Sequence, residues 1–208
     1  MKPLKNISLC IIAISTVIFS ACNEQIKTNG DVSYYLIDVT RAKSKTPVDT
    51  EKILIIRRFE IASRFRTTQL VYRTSNTVYE TDSYNMFLTR PEQAVAEETR
   101  KWLSNASIFK SVVNRASVAE SSYNLEANIT EMYGDFRDQN TPKAVLAIRF
   151  FLIDTSGRNS KLVFDKAYEV AQPLAQATAS DLIIAYGQAL TSILQSLEND
   201  LRNTVTGR

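Results

Sequence analysis

The chain has 208 residues, 44% of them hydrophobic, and 25 lysines and arginines against 22 acidic residues leave a net charge of +3. It contains no histidine, so the commonest general base, the second member of serine and cysteine triads and the usual zinc ligand are all missing. Its 5 glycines stand far apart, which excludes a phosphate-cradling P-loop and a dinucleotide-binding fingerprint.

The amino terminus carries the strongest signal. Met1-Lys2-Pro3-Leu4-Lys5 is basic, and an apolar run follows from Ile7 to Phe19. That run would span about 20 Å as a helix, too short for the roughly 30 Å hydrocarbon layer. It reads as a signal segment and not as an anchor. Phe19-Ser20-Ala21-Cys22 then has the form of a lipoprotein export signal, with residues 1 to 21 removed and Cys22 lipidated. One short acyl chain binds a bilayer only marginally, at about 0.8 kcal/mol per buried methylene, whereas several chains hold on effectively permanently. The residue after Cys22 is Asn23. Aspartate there is the usual inner-membrane retention signal, so asparagine points to the periplasmic face of the outer membrane. Export makes nucleic acid an implausible partner. With Cys10 removed, Cys22 is the one cysteine left, so no disulfide forms within one copy.

Residues 22–32 are mostly polar and form a tether whose reach is at most about 35 Å. The strand-like segment Tyr34 to Val39 follows, then a polar loop at 40–51. Ile53 to Ile61 has an apolar stretch on both faces and suggests an interior strand. Gln69-Leu70-Val71-Tyr72-Arg73 and Val78-Tyr79-Glu80 flank the turn-like Thr74-Ser75-Asn76-Thr77, so a hairpin is expected. Thr89 and Glu92 have the spacing of a capping box around Pro91, and Val95, Thr99, Trp102 and Leu103 line one face of a helix ending near Asn105. A short segment, Ile108 to Val113, leads to Tyr123, Leu125, Ala127 and Ile129, which alternate with polar residues as in a half-buried strand. Val145 to Ile153 is apolar on both faces and should be central. The turn at Asp154-Thr155-Ser156-Gly157 joins it to an antiparallel partner, Leu162 to Val170. A last helix from Ala179 to Leu201, capped by Thr178 or Ser180, buries Leu182, Tyr186, Ala189, Leu190, Ile193, Leu194, Leu197 and Leu201. Strands followed by a helix, twice, predict a single α+β domain over 33–208: a mixed, largely antiparallel sheet with two helices packed on one face.

With its lipobox, the opening Tyr34-Tyr35-Leu36, the strand ending Arg58-Phe59-Glu60-Ile61, the pentapeptide 69–73, Tyr84-Asn85, and the Pro91 helix ending in Trp102-Leu103, the chain resembles the ABC-type transport auxiliary lipoproteins. Tyr123, Leu125 and the terminal amphipathic helix complete the likeness. It departs from many members in having Met86-Phe87-Leu88 where they carry a tryptophan. The resemblance implies a periplasm-facing lipoprotein working beside an MCE-domain protein and an ABC permease and ATPase in moving lipids or other hydrophobic molecules between membranes. It implies no catalysis.

Two stretches are candidate contacts. Arg57, Arg58, Arg64 and Arg66 would meet anionic lipid headgroups or an acidic partner, or else form a solvated strand face. Gln69, Leu70, Val71, Tyr72 and Arg73 would be a partner-docking edge strand, or else core. Trp102 fits the core better than an interface. Asp135, Asp138 and Asn140 lack calcium-loop spacing, and Glu131 with Asp135 makes a poor glycosidase pair. No cofactor, metal site or catalytic residue is therefore expected. The alternatives to an auxiliary subunit are a lipoprotein carrying a hydrophobic ligand in its own pocket and a structural envelope lipoprotein. A homo-oligomer is compatible with every one of these readings.

Overall fold

The computed structural model describes residues 30–43, 51–117 and 120–206. The export signal, Cys22 and the tether up to residue 29 lie outside the described residues, as does part of the 40–51 loop.

Four strands and a helix occur twice: β1 Ser33–Tyr35, β2 Ile53–Ile61, β3 Gln69–Arg73, β4 Tyr79–Phe87 and α1 Pro91–Ala106, then β5 Ser111–Asn114, β6 Tyr123–Asp135, β7 Lys143–Asp154, β8 Lys161–Pro173 and α2 Ala179–Thr206. The strands form one mixed sheet organised by β6. Antiparallel β7 follows β6 along one edge, and β8 follows β7. The other edge of β6 is shared, with β2 parallel to Tyr123–Ile129 and β3 parallel to Gly134–Asp135. The sheet therefore forks. One branch continues from β2 to β5, the other from β3 to β4 and β1. The β6 register shifts between Ile129 and Glu131, at the fork. Arg64 braces that point, donating to the Thr130 carbonyl at 3.1 Å and pairing with Glu131.

Alternation along the strands sends Leu54, Leu125, Ile148, Phe150 and Leu152 to the helix-covered face, where they are fully buried. Both helices join these side chains in one core, so the α+β arrangement with its helices on one face is as the periodicity predicts. Thr178 caps α2: its hydroxyl accepts from the Asp181 amide at 3.1 Å and donates to the Asp181 carboxylate at 2.9 Å. The helix passes the expected end at Leu201 because Val205 continues the buried stripe.

Three expectations are corrected. The capping box does not form, because Pro91 opens α1 with Arg90 as N-cap. Glu92 is then the second helical residue, and a box needs its acid at the third. The strand expected at 34–39 ends at Tyr35, since the chain leaves the sheet there to cross the helices. The strand expected at 78–80 extends to Phe87; its continuation escapes the period-2 pattern because the register shifts by a bulge opposite Gln69 and Val71.

The crossing segment is held by a buried charge cluster. The Val39 amide donates to Glu98 at 3.1 Å. Arg41 donates twice to Glu198 on α2, both times at 2.7 Å, and once to the Asn105 carbonyl of α1 at 2.7 Å. Its guanidinium lies 5.8 Å from the centre of the Trp102 ring, and Trp102 Nε1 donates to Glu198 at 2.9 Å. Arg202 adds a third donor to Glu198 at 3.2 Å. At Gly187 the segment comes so close to α2 that a Cβ would sit 3.0 Å from the Asp38 carbonyl oxygen. Burial alone would raise the Glu198 pKa, but the hydrogen bonds and charge of Arg41, with Trp102 and Arg202, outweigh it and hold the carboxyl below its ordinary 4.5.

Arg41→Ala leaves Glu198 buried with its main partner gone and should cost about 3 kcal/mol in urea unfolding, whereas Arg149→Ala, which breaks the exposed, solvent-screened Arg149–Asp165 pair, should leave the urea midpoint nearly unchanged. A depressed carboxyl stabilises above its unfolded value of 4.5 and loses that contribution as pH falls through the folded value. The urea midpoint should therefore drop with acidification below about pH 4.5, and Glu198→Gln should flatten part of that slope.

Candidate functional site

The sheet fork leaves two open grooves on the surface. The first, of about 550 Å³, runs between β2 and α1. β5 pairs with β2 only as far as Ile56–Asn114, so from Arg57 onward that edge of β2 has no strand beside it among the described residues. The β2 register against β6 also shifts between Ile56 and Phe59, which turns both Arg57 and Arg58 into solvent. Across the groove stand Arg100 of α1 and Arg115 after β5, interspersed with Glu60, Glu92 and Glu97. Arg58 pairs with Glu60 at 3.5 Å and Arg100 with Glu97 at 3.8 Å. Glu92 lies 3.8 Å from Arg90 through one oxygen, while the other is buried with no hydrogen-bond partner. This is a polar, mixed-charge groove along an open backbone edge.

The four arginines singled out in the sequence are thus divided. Arg57 and Arg58 share the groove. Arg64 lies within the turn Ser63–Phe65, 4.8 Å from the centre of the Phe65 ring, and Arg66 ends it, donating to the Ile61 carbonyl at 3.3 Å.

The segment 69–73 is not an edge strand: β3 has β4 on one side and β6 on the other. Leu70 and Val71 are buried, and Gln69, Tyr72 and Arg73 are half-buried. Arg73 caps an aromatic cluster on the face away from the helices, 5.5 Å from the Tyr79 ring and 5.8 Å from that of Tyr133. Phe65 stacks on Tyr133 with centroids 5.8 Å apart. On the opposite face Tyr72 meets Phe136 edge-on at 5.2 Å and lines a second groove of about 530 Å³ beside the start of α2, with Phe136, Arg137 and Thr178. The Tyr72 hydroxyl donates to Asp82 at 2.8 Å. Asp82 also accepts from the amides of Tyr84 at 2.8 Å and Asn85 at 3.0 Å, so one carboxylate shapes the β4 bulge. Burial and then the Asp82 bond push the Tyr72 phenol well above its ordinary range. Burial would also raise Asp82, but its hydrogen bonds prevail and keep it below the usual 3.8.

The sequence model of the ABC-type transport auxiliary lipoprotein component matches residues 34–198, nearly the whole described domain. The chain belongs to that family. In shape it is similar to a Xanthomonas campestris protein of known crystal structure, at 15% identity and a TM-score of 0.73, covering 83% of this chain and 96% of that one. A crystal structure of an uncharacterised protein is also similar, at 13% identity and a TM-score of 0.66, with 82% and 99% covered. These two likenesses concern the fold. No curated protein matches the chain. Family membership makes this a transport auxiliary component and a lipoprotein, anchored to a membrane and facing the periplasm.

Within this family member, reading the sequence misses three groups. Arg100 and Arg115 complete the first groove, yet they lie 42 or more positions from Arg58 and only the fold brings them together. Asp82 has no sequence signature beyond an Asx-type spacing to Tyr84. Glu198 does leave a trace, as an acid on the apolar stripe between Leu194 and Leu201. Asp82→Ala should strip exchange protection from the Tyr84 and Asn85 amides while that of the doubly paired Tyr72 survives, as read by amide hydrogen exchange.

Proposed function

We propose that the chain is a non-enzymatic subunit of an ABC/MCE-type system that moves lipids or other hydrophobic molecules between the inner and outer membranes. Lipidated at Cys22, with Asn23 next, it sits on the periplasmic face of the outer membrane and docks the transport conduit there. The observation that carries this reading is a solid core: Leu54, Leu70, Leu125, Ile148, Phe150, Leu190 and Leu194 are all fully buried against one another. Both prominent grooves among the described residues are open; the first is lined largely by charged and polar groups, and the second has a mixed lining that includes Tyr72, Phe136 and Ala179. A lipid carrier needs an enclosed, mainly apolar cavity. A docking subunit needs an accessible polar edge, as Arg57 and Arg58 offer on β2.

Captured from native membranes, the protein should bring down an MCE-domain protein with its permease and ATPase, and Arg57→Glu combined with Arg58→Glu should weaken that capture. Cys22→Ser should yield a folded, soluble periplasmic protein that no longer supports transport. Lipid bound stoichiometrically to the purified, delipidated protein would favour a carrier instead, and full transport by the Cys22→Ser variant would count against tethering.

A further inference from the structure

The outer edge of the longer sheet branch exposes apolar side chains where the chain enters the domain. β1 pairs with β4 in parallel, Tyr34 opposite Met86 and Tyr35 opposite Phe87. Tyr35 and Phe87 turn to the core, Phe87 lying 6.1 Å from the Tyr186 ring of α2. Strand alternation therefore turns Tyr34 and Met86 to the opposite face; Tyr84 is exposed on the β4 bulge next to them, and the next residues out, Leu36 and Leu88, continue the alternation past Tyr35 and Phe87. Tyr34 is 61% exposed, Leu36 56%, Tyr84 57% and Leu88 56%. The Asp82 carboxylate fixes the bulge that carries Tyr84, and the Leu88 amide donates to the Tyr35 carbonyl at 2.8 Å, so the two strands hold these side chains in a defined array.

We propose that this face of β1 and β4 is a seat for the surface of the phospholipid bilayer. The inference rests on the anchoring at Cys22 proposed above. The chain between Cys22 and Ser33 reaches at most about 35 Å, and it joins the domain at β1 itself. An anchored domain therefore presents this edge within reach of the membrane at all times. Two tyrosines and two leucines suit the boundary layer, where a phenol ring places its apolar body among acyl chains and its hydroxyl among headgroups. Among the described residues β1 has a strand on one side only, and its other backbone edge stays hydrated in the headgroup layer, so the contact is interfacial and does not enter the hydrocarbon. Seated in this way, the domain stands in one orientation over the membrane and does not swing freely on its tether.

The test uses the full lipoprotein reconstituted into phosphatidylethanolamine–phosphatidylglycerol vesicles with brominated acyl chains. Tyr84→Trp places a reporter on the seat, and Leu162→Trp places one on the exposed edge of β8. Trp102, buried against Glu198, contributes the same background to both. With the protein floating on the vesicles, emission from the Tyr84→Trp protein should shift to the blue and be quenched, and that from Leu162→Trp should not. Floating protein with equal quenching at both positions, or none at Tyr84→Trp, would overturn the seat and leave the anchor standing. Protein that fails to float would overturn both. A blue shift at Tyr84→Trp without vesicles, accompanied by a doubled mass, would assign the face to a second copy and also overturn the seat.

Discussion

One buried carboxylate ties the domain together. Glu198 of α2 accepts from Arg41 of the crossing segment, from Trp102 of α1 and from Arg202 one turn further along its own helix. Three stretches far apart in sequence are thereby fixed to one point. A lone charge at 8% exposure would be intolerable; with its acceptors satisfied, the cluster gives the helix pair and the amino-terminal segment a single register. Buried ion pairs contribute more to uniqueness than to net stability in several known cases, and here the uniqueness concerns where the entering chain lies.

That placement has a mechanical consequence for a membrane-anchored protein of this family. Any pull from the amino-terminal side enters the domain at β1, whose short ladder with β4 is weak alone. Immediately behind it, the chain is locked over Gly187 and clamped by Glu98 and Glu198. Load therefore reaches the helical layer within a few residues. The forked sheet serves the same division of labour. β6, β7 and β8 form a continuous antiparallel slab under α2, and the two branches leave free edges and grooves at the margins, where contact with partners or membrane does not disturb the core.

Much of this was legible in the residue pattern. β2 and β3 fall at the boundaries that their apolar runs and flanking polar residues indicate, and α2 begins at the residue its threonine cap predicts. Period-2 and period-3.6 patterns are imposed by local geometry and burial together, so they survive in the sequence. The failures have specific causes. A bulge scrambles alternation in β4, Pro91 moves the start of α1 and leaves the capping residues out of phase, and Ile37 and Val39 are buried in the core outside any strand. The charged candidates divide for a similar reason: Arg57 and Arg64 are neighbours in sequence, but the turn between β2 and β3 sends them to different sites.

Taken alone, the sequence determined the absence of histidine, the family and most of the strand and helix inventory, because each depends on residue identity or on contacts within a few positions. Only the tertiary structure decided that β3 is interior and not an edge, that the sheet forks at β6, that Arg100 and Arg115 join Arg57 and Arg58, and that exposed Tyr34 and Tyr84 lie on the paired strands β1 and β4. Those outcomes rest on pairings between strands and helices dozens of residues apart. The free energy of such pairings comes from the whole buried surface and is not written at any single position.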